Sequence, residues 1–402
     1  MNNKPSVVMM GLGYIGLPTA ALIASRGLKV TGVDIRENVV ETINKGQIHI
    51  VEPDLDGLVH KVVKEGNLHA ATKPITSDVY LIAVPTPFKE NHEPDLSYVT
   101  SAVRSIIPTL TEGALVILES TSPVGTTRKM EKLIFEERPE LKGNLFLAYC
   151  PERVLPGNII YELKHNDRAI GGIDKASTEK AISFYKHFVT GELHKTNAKT
   201  AEMVKLVENA SRDNQIAFAN ELSIICDKAE INVWEMIALA NKHPRVNILN
   251  PGTGVGGHCI AVDPWFIVSE FPKESTLIRK SRETNTFKTR WVLEKIKNTA
   301  LSFKIENNRD AVIACMGLAF KPDIDDLRES PALLVNDTLI TEGFNIVSVE
   351  PNLESESARK LTSSSEALQQ ADIIVFLVAH KQFKDLTISK NKIVLDFVGL
   401  KN

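Results

Sequence analysis

The sequence predicts an α/β protein in which two Rossmann-like, doubly wound domains are joined by a long central helix and a helical domain. Three features support this expectation. Short apolar runs alternate with helical patterns early in the chain, as in a parallel sheet covered by helices. A helical stretch without Gly or Pro follows, with Thr200 as its expected N-cap and its end near Ala229. A second series of apolar runs begins at Ala311.

The first apolar run, Val7–Met10, leads into the pattern G-x-G-x-x-G and then into a helical stretch. In that context the pattern predicts a dinucleotide site, whose pyrophosphate would lie on the amides at the helix N-terminus. Asp34 ends the second strand, where a carboxylate accepts hydrogen bonds from the adenosine ribose, so NAD is expected. Arg36 leaves NADP open, because a nearby arginine can bind a 2′-phosphate. The expected cofactor residues of the turn are Gly11, Gly13, Tyr14, Ile15 and Gly16.

Three further apolar runs in this half of the chain end in polar residues. They are Val79–Val84, Ala114–Leu118 and Asn144–Tyr149. Ligands of doubly wound sheets bind at the carboxyl ends of the strands, so the residues just after these runs are candidates for cofactor or substrate contacts. Each could equally be an ordinary turn or cap residue. The candidates are Thr86, Ser120, Thr121, Glu152 and Arg153.

A glycine-rich segment, Pro251–Pro264, carries a single cysteine. Its glycines remove side chains where the backbone must turn or approach a ligand, and they leave the Cys259 thiol accessible. A thiol with Asp263 four residues later suggests covalent catalysis. The alternatives are that Cys259 is a small buried hydrophobe and that Asp263 is a helix N-cap followed by Pro264.

The long helical stretch has apolar residues on several faces, which predicts wide burial, including burial against a second subunit. Lys205 and Asn209 lie four residues apart in it and therefore share one face. Apolar neighbours make this face of the helix less clearly exposed to solvent. The alternative is that Lys205 is an ordinary solvated lysine.

The second series of apolar runs indicates a smaller Rossmann-like domain that lacks the glycine pattern. Its strands are expected at 311–317, 345–349, 372–378 and 392–397. A turn dense in charge, residues 320–331, follows the first of these strands. It is a candidate ligand site, with a solvated loop as the alternative. Cys226 and Cys315 lie within apolar patterns and are expected in the core.

Composition argues against several classes of protein. The 402 residues include 47 basic and 50 acidic side chains, a balance that disfavours binding to nucleic acid or to a membrane surface. No signal peptide is expected, and the longest apolar run, Ile373–Ala379, is too short to span a bilayer. The four cysteines have no paired or metal-type spacing, so neither a disulfide framework nor a zinc site is expected. A cytoplasmic enzyme fits these features.

Eight segments, in order along the whole chain, carry a resemblance to a known family. They read GLGYIGLP, VPTP, ESTSPVGTT, CPERVLPG, KLVENASRD, HPRV, GVGGHCIAVDP and LAFKPDIDDLRESPA. The chain resembles the nucleotide-sugar 6-dehydrogenases of the UDP-glucose and GDP-mannose dehydrogenase type. Within that family, the segments IHIVEPDL and HCIAVDPW are most similar to members that act on UDP-N-acetyl-D-mannosamine.

The resemblance implies roles for the residues that match the family's motifs. The implied catalytic residues are Cys259 as nucleophile, Lys205 and Asn209 around the reacting oxygen, Asp263 and Thr121 positioning water, and Glu152 as the active-site acid. Beyond the glycine turn, the residues implied for NAD are Thr86, Thr121 and Arg328. Those implied for the UDP-sugar are Glu152, Arg153, Val154, Leu155, Lys205, Asn209, Arg245, Gly256, Gly257 and Lys321.

The resemblance also assigns functions to three expected domains. Residues 1–197 would bind NAD, residues 198–304 would carry the cysteine loop and the interface of a homodimer, and residues 305–402 would bind the UDP-sugar. In some members the residue at the position of Arg245 contributes to a neighbouring subunit's site. The chain departs from the family at Val398, where an Arg or Lys often contacts phosphate.

The implied reaction is the NAD-dependent, four-electron oxidation of the sugar C6 hydroxyl to a carboxylate through a thiohemiacetal and a thioester on Cys259, without a metal. UDP-N-acetyl-D-mannosamine is the expected substrate, with UDP-N-acetylglucosamine and UDP-glucose as alternatives. Two other classes stay open. A single-step β-hydroxyacid dehydrogenase would leave Cys259 unexplained, and a non-catalytic NAD/NADH sensor would not need the polar residues Glu152 and Lys205.

Overall fold

The chain folds into two units, each with its own parallel sheet. The structure, a computed structural model, describes residues 4–50, 52–89, 92–154, 157–257, 259–353 and 360–401. The N-terminal unit comprises Met1–Glu208 and Trp265–Glu270, and the C-terminal unit comprises Asn209–Pro264 and Phe271–Asn402. Two of the three boundaries fall inside helices, so two helices contribute residues to both units.

The N-terminal unit contains an eight-stranded sheet in the order β3-β2-β1-β4-β5-β6-β7-β8. Its strands are β1 Val7–Met10, β2 Val30–Val33, β3 Leu68–Ala71, β4 Val79–Ile82, β5 Leu115–Leu118, β6 Phe146–Tyr149, β7 Arg168–Gly172 and β8 Leu193–Asn197. The first six are parallel, in the strand order of a dinucleotide-binding fold. The strand β7 runs antiparallel to β6, and β8 is parallel to β7.

Helices cover both faces of this sheet. They are α1 Gly16–Ser25, α2 Glu37–Asn44, α3 Leu55–Lys64, α4 Ser97–Ile106, α5 Thr126–Glu137, α6 Ile159–His165 and α7 Lys175–Tyr185. Along β1, Val7 and Met9 belong to the apolar core that includes α1. Val8 and Met10 belong to the core that includes α4 and α5. Because strand side chains alternate between faces, this division confirms the predicted doubly wound arrangement.

The C-terminal unit contains a four-stranded parallel sheet in the order β10-β9-β11-β12. Its strands are β9 Val312–Met316, β10 Asn345–Val349, β11 Ile373–Phe376 and β12 Ile393–Asp396. Ile313 and Cys315 face one apolar core, whereas Ala314 and Met316 face the other. The second Rossmann-like domain predicted from the sequence is therefore confirmed.

The remaining helices are α8 Ala198–Lys228, α9 Val233–Ala240, α10 Asp263–Glu270, α11 Thr276–Asn307, α12 Pro331–Thr341 and α13 Ser364–Gln370. The helix α8 has 31 residues and is the predicted long central helix. Cys226, on α8, is buried, as is Cys315, on β9. In the described part of the chain, no helix is both long enough and apolar enough to cross a membrane.

The expected N-cap of the long helix was wrong. The helix begins at Ala198, and Thr200 lies inside its first turn. Asn197 takes the capping position instead, because its Oδ1 accepts a hydrogen bond from the Thr200 backbone N–H at 3.0 Å. Its Nδ2 also donates to the Thr200 Oγ1 at 2.9 Å. Asparagine caps a helix as well as threonine does, so either residue satisfied the sequence pattern.

Three strands of the N-terminal sheet, β3, β7 and β8, have no apolar run that predicts them. The side chains of β8 are mostly exposed, and β7 ends in two glycines. A Cβ at Gly171 would lie 2.2 Å from the Asn197 carbonyl oxygen, so glycine is needed where β7 meets the chain leaving β8. At β7, close backbone approach rather than hydrophobic periodicity determines which residue fits.

Candidate functional site

The glycine turn after β1 has the geometry of a dinucleotide-binding loop. Gly11 has φ +89°, and a Cβ there would lie 2.5 Å from the Ala83 carbonyl oxygen, so only glycine fits. A Cβ at Gly16 would lie 1.8 Å from the Gly11 carbonyl oxygen. At Gly13 a Cβ would meet no atom of the described residues within 4 Å. A pyrophosphate can therefore approach the backbone at the N-terminus of α1, and the turn fits NAD.

Asp34, at the end of β2, is 8% exposed and hydrogen-bonded on both oxygens. Its Oδ2 accepts from the Leu12 backbone N–H at 3.3 Å, and its Oδ1 accepts from the Arg36 backbone N–H at 3.0 Å. The Arg36 guanidinium donates from Nε at 3.1 Å and from Nη2 at 3.3 Å. Burial raises the pKa of Asp34, but the hydrogen bonds from Arg36 and Leu12 outweigh burial and lower that pKa. The carboxylate is thus ionised and able to accept ribose hydroxyls.

Of the polar residues after β4 and β5, one has a structural role and two are candidates for ligand contacts. Ser120 is buried, and its Oγ accepts from the Val84 backbone N–H at 2.9 Å and donates to the Ile82 carbonyl at 3.3 Å. This side chain joins the ends of two strands. Thr86 and Thr121 are half-buried after the same two strands. They remain the candidates for ligand contacts.

A buried ionic cluster lies after β5 and β6, and only Glu152 in it was predicted. The Arg168 Nη1 donates to Glu152 Oε2 at 3.0 Å, with both side chains less than a tenth exposed. The Tyr185 hydroxyl donates to Glu119 Oε1 at 2.6 Å, and Glu119 is 3% exposed. Arg168 also contacts the Tyr185 ring, with 5.3 Å between the guanidinium carbon and the ring centroid. The cluster comprises Glu119, Cys150, Glu152, Arg168 and Tyr185.

Burial and neighbouring charges shift the pKa values of three groups in this cluster. Burial raises the pKa of Glu119 to about 7, with Arg168 opposing and the Glu152 charge adding to the shift. Arg168 is buried, which lowers its pKa, yet the attraction of Glu152 more than compensates, so it stays charged. Burial raises the pKa of the Cys150 thiol to about 11, so that thiol is neutral. The cluster therefore contains a firm ion pair, Glu152–Arg168, and a carboxyl group, Glu119, that titrates near neutral pH.

Glu52 holds the backbone at the start of α6. This buried carboxylate accepts from the Gly157 backbone N–H at 2.9 Å and from the Ile159 backbone N–H at 2.8 Å, where α6 begins. Glu52 belongs to the segment IHIVEPDL, and its part in that segment is to hold this backbone. The negative charge also suits the positive N-terminal end of a helix.

The substrate candidates after Glu152 lie in different surroundings. The Arg153 Nη1 donates to Glu208 Oε1 of α8 at 2.6 Å. Val154 is half-buried against the apolar core of the N-terminal unit. Leu155 lies outside the described residues. Arg153 therefore ties this part of the chain to the central helix as well as being a candidate ligand residue.

On α8, Lys205 and Asn209 are both half-buried and one turn apart. The Asn209 Nδ2 donates to Asp263 Oδ2 at 2.5 Å, which joins two of the predicted catalytic residues. Asp263 is 3% exposed and is the first residue of α10. A buried carboxylate that accepts an amide hydrogen bond is oriented, so Asn209 and Asp263 act as one polar pair.

The cysteine loop has the glycine geometry that its sequence indicates. Gly254 and Gly257 have φ values of +154° and +81°. Cys259 is exposed, and its carbonyl accepts from the Asp263 backbone N–H at 2.8 Å, which starts α10. Unlike the buried cysteines, this thiol can meet a substrate. The preceding His258 lies outside the described residues.

Buried polar side chains anchor the start of this loop, and no sequence pattern predicted them. The Asn220 Oδ1 accepts from the Gly252 backbone N–H at 2.9 Å, and its Nδ2 donates to Asn285 Oδ1 at 2.9 Å. The Asn285 Nδ2 donates to Asp213 Oδ1 at 2.7 Å. The Arg282 Nη1 donates to the same oxygen at 2.6 Å. All four side chains are almost completely buried, so buried hydrogen bonds attach the loop to α8 and α11.

The charged turn after β9 packs against the cysteine loop within the C-terminal unit. A Cβ at Gly256 would lie 2.8 Å from the Phe320 Cβ, and one at Gly257 would lie 2.8 Å from the Phe320 ring. Lys321, the next residue, is exposed. The Arg328 guanidinium pairs with the Asp326 carboxylate at 2.6 Å. The turn therefore places an exposed lysine next to a residue that supports the glycines before Cys259.

Two other expectations for nucleotide contacts concern Arg245 and Val398. Arg245 is exposed after α9. Val398 is half-buried and packs on the C-terminal core, in a turn built around Asp396. The Asp396 carboxylate accepts from the backbone N–H groups of Val398, Gly399 and Lys401 at 2.7–3.0 Å. Position 398 therefore provides no cation for a phosphate, unlike the Arg or Lys often found there in the family.

Three models of one family match the chain in succession. They are the UDP-glucose/GDP-mannose dehydrogenase family NAD binding domain over residues 5–189, its central domain over residues 199–287, and its UDP binding domain over residues 314–401. The first of these matches supports NAD as the cofactor, in agreement with the glycine turn and Asp34.

Individual proteins agree with the family models. A UDP-N-acetyl-D-mannosamine dehydrogenase of Campylobacter jejuni is 55% identical over 411 residues, covering 98% of this chain and 99% of the relative. An NDP-N-acetyl-D-galactosaminuronic acid dehydrogenase of Ralstonia nicotianae is 50% identical over 410 residues, covering 98% and 96%. The solved structure of a UDP-D-ManNAc dehydrogenase from Pyrococcus horikoshii is similar with a TM-score of 0.88 and 38% identity, covering 99% of this chain and 96% of that chain.

Proposed function

The chain belongs to the UDP-glucose/GDP-mannose dehydrogenase family, and on that basis we propose that it oxidises the C6 hydroxyl of UDP-N-acetyl-D-mannosamine to a carboxylate with NAD as acceptor. The observation that carries the proposal is the exposed Cys259 in its glycine loop, hydrogen-bonded into α10 beside the Asn209–Asp263 pair. The relative at 55% identity supports the choice of sugar. We place the reaction in the cytoplasm, where NAD and UDP-sugars are available.

In the first oxidation, Lys205, or a water molecule that it holds, removes the proton of the C6 hydroxyl. NAD held by the glycine turn and Asp34 would supply the hydride acceptor for each oxidation, with a second NAD molecule replacing the first NADH before the second oxidation. The Cys259 thiolate then adds to the aldehyde carbon, and the carbonyl oxygen takes up a proton to give a thiohemiacetal. Lys205 and Asn209 are proposed to stabilise the oxygen on which charge develops.

The second oxidation converts the thiohemiacetal into a thioester, with loss of the hydroxyl proton to the same base. Water held by Thr121 and Asp263 attacks the thioester, the carbon–sulfur bond breaks, and the thiolate leaves. Glu152 is proposed to take the proton from this water. Its ion pair with Arg168, 3.0 Å between Arg168 Nη1 and Glu152 Oε2, holds this side chain in place.

The covalent mechanism is tested by counting products. Wild-type protein should form two NADH for each uronate, with little free aldehyde. Cys259→Ser should lower uronate formation by about three orders of magnitude or more, because serine is a poorer nucleophile and leaving group without a dedicated base. The variant should still reduce an added UDP-sugar aldehyde with NADH, since that step does not use sulfur. Cys226→Ala, which changes a buried cysteine, is the control and should keep the two-to-one ratio.

One NADH per product in the wild type would favour the single-step alternative.

The substrate is tested by comparing kcat/KM for a panel of UDP-sugars. UDP-N-acetyl-D-mannosamine should exceed UDP-N-acetylglucosamine and UDP-glucose. The relative named as an NDP-N-acetyl-D-galactosaminuronic acid dehydrogenase supports a second candidate, so UDP-N-acetylgalactosamine belongs in the panel. A higher kcat/KM for that sugar would move the assignment to it.

A homodimer through α8 is part of the proposal. Val207, Phe218 and Ile225 are 41%, 54% and 54% exposed. Their spacings of 11 and 7 residues place them within about 20° of one line along the helix. An exposed apolar line on a long helix fits a second copy of the same helix, which presents an identical surface across a two-fold axis.

A further inference from the structure

In the second Rossmann-like sheet, a carboxylate of the protein binds the turn amides that would bind the ligand in a dinucleotide-binding sheet. Gly317 follows β9 with φ +93°, as Gly11 follows β1 with φ +89°. Glu350 follows β10, the position that Asp34 has after β2. The Glu350 Oε2 accepts from the backbone N–H groups of Leu318 and Ala319 at 2.7 and 2.9 Å. These turn amides are therefore occupied, and an anionic ligand of this unit must be held by other groups.

His380 joins Glu350 to the loop that carries Lys321. The side chains of both His380 and Glu350 are completely buried, and the His380 Nε2 lies 3.0 Å from Glu350 Oε2. The Asp323 backbone N–H donates to His380 Nδ1 at 2.9 Å. A backbone N–H can only donate, so Nδ1 carries the lone pair, and Nε2 carries the proton that it donates to Glu350. Burial raises the pKa of Glu350, but hydrogen bonds from His380 and the two turn amides outweigh burial and lower that pKa.

The loop conformation at Asp323 depends on these contacts. Asp323 has φ +61°, a left-handed conformation that a non-glycine residue keeps only where its surroundings hold it. Besides His380, the Lys381 backbone N–H holds it by donating to Asp323 Oδ1 at 2.9 Å. Lys321 is exposed two residues earlier, and its ammonium makes no hydrogen bond or ion pair with the described residues.

We propose that the buried Glu350–His380 pair is a positioning device that fixes residues 318–323 so that Lys321 is presented to the diphosphate of the UDP-sugar. The inference rests on the proposed function, because it takes the diphosphate as the ligand of Lys321. His380 touches neither substrate nor cofactor in this scheme and acts through the Asp323 amide. Its contribution is to ground-state binding, so its loss should appear in KM rather than in kcat.

His380 Nδ1 also accepts from Asn352 Nδ2 at 2.9 Å, and two substitutions at His380 separate the contacts of Nδ1 from the hydrogen bond of Nε2. Asparagine places Oδ1 where Nδ1 stands, and keeps an acceptor for the Asp323 N–H. Glutamine places its amide N–H where Nε2 stands, and keeps the donor to Glu350 alone. We expect His380→Gln to weaken binding of UDP, measured by calorimetry, by about tenfold or more, because it removes the acceptor of the Asp323 N–H and of the Asn352 amide. His380→Asn should stay within about threefold of the wild type. The KM for NAD should not change in either variant.

A double-mutant cycle with Lys321 decides whether the pair acts through that lysine. If it does, Lys321→Ala/His380→Gln should bind UDP no more weakly than Lys321→Ala alone. Independent, additive losses would overturn the proposal, as would wild-type affinity for UDP in folded His380→Gln. Should that variant not fold, Glu350→Gln takes its place, with the same expected loss of UDP affinity and unchanged KM for NAD. Wild-type protein that binds UDP but oxidises no UDP-sugar would overturn the proposed function and leave this inference standing, whereas wild-type protein that does not bind UDP would overturn both.

Discussion

Glu119 follows a buried strand and sits within the segment ESTSPVGTT, yet nothing in that segment indicates an ionic cluster. Its partners Arg168 and Tyr185 come from β7 and α7, some fifty residues or more further along the chain. Contacts between residues so far apart in sequence depend on how the strands pair, and a single sequence does not show that pairing. Asp34 and Cys259, by contrast, were predicted because each follows a local pattern that requires it.

Replacing Glu119 by glutamine should stabilise the protein increasingly as pH rises. The native carboxyl group has a pKa of about 7, against the usual value of 4.5. The native state therefore holds a proton that the unfolded state has released, and the stability of the wild type falls as pH rises from 4.5 to 7. Glutamine cannot ionise, so Glu119→Gln should gain up to about 3 kcal/mol relative to the wild type across that range. Urea unfolding between pH 5 and 8 measures this difference.

Glu37→Gln is the matched control for Glu119, because Glu37 is exposed in the first turn of α2. Its stability difference from the wild type should stay constant over the same pH range. A parallel course of Glu119→Gln and wild-type stability would show that Glu119 is ionised in the native protein throughout.

Asp34 should determine the choice of NAD over NADP. Asp34→Ala removes a charged acceptor for the ribose hydroxyls, worth about 1.5–3 kcal/mol, and should raise the KM for NAD about tenfold to a hundredfold with a smaller change in kcat. The wild type should prefer NAD in kcat/KM, because its carboxylate repels a 2′-phosphate. Glu37→Ala, an exposed neighbour on α2, should leave the KM for NAD unchanged. Equal kcat/KM for NADP and NAD in the wild type would assign the site to Arg36 instead.

At the scale of elements, segments with a clear apolar pattern were predicted well and segments without one were not. The strands β1 and β10 have the bounds that their apolar runs give. The N-cap of α8 shifted to Asn197, because two capping residues lie within one turn. The strand β7 and its edge neighbour β8 were not predicted, since their side chains are largely polar or absent.

The packing of α8 on α11 should depend on the Asp213–Arg282 ion pair. Both side chains are buried, and Asp213 also accepts from Asn285. Asp213→Ala leaves a buried guanidinium without its carboxylate and should cost about 3–5 kcal/mol of unfolding free energy. Asp227→Ala removes the partner of Lys295 in an exposed pair between the same helices and should cost less than about 1 kcal/mol. Urea unfolding of the two variants gives the comparison, and equal losses would contradict it.

At the scale of the whole molecule, the order of its two Rossmann-like folds was predictable because each sheet produces its own series of apolar runs. The division into 1–197, 198–304 and 305–402 remains a prediction, since the structure gives two units, with boundaries inside α8 and inside α10. Such boundaries depend on which contacts a helix makes on either side, and helical periodicity alone does not specify them.

Dimerisation should depend on the exposed apolar side chains of α8. The exposed line of Val207, Phe218 and Ile225 would be buried twice in a symmetric dimer, once from each copy. Each such side chain contributes about 1.5–3 kcal/mol when it leaves water, whereas an aspartate at the same place would bury a charge beside its own copy. Phe218→Asp should therefore weaken self-association by at least about a hundredfold and give a monomer in sedimentation velocity at micromolar concentration. Ile305→Asp, at an 84% exposed position on α11 away from the line, should sediment as the wild type does. A Phe218→Asp variant that remains dimeric, or an Ile305→Asp variant that dissociates, would place the interface elsewhere.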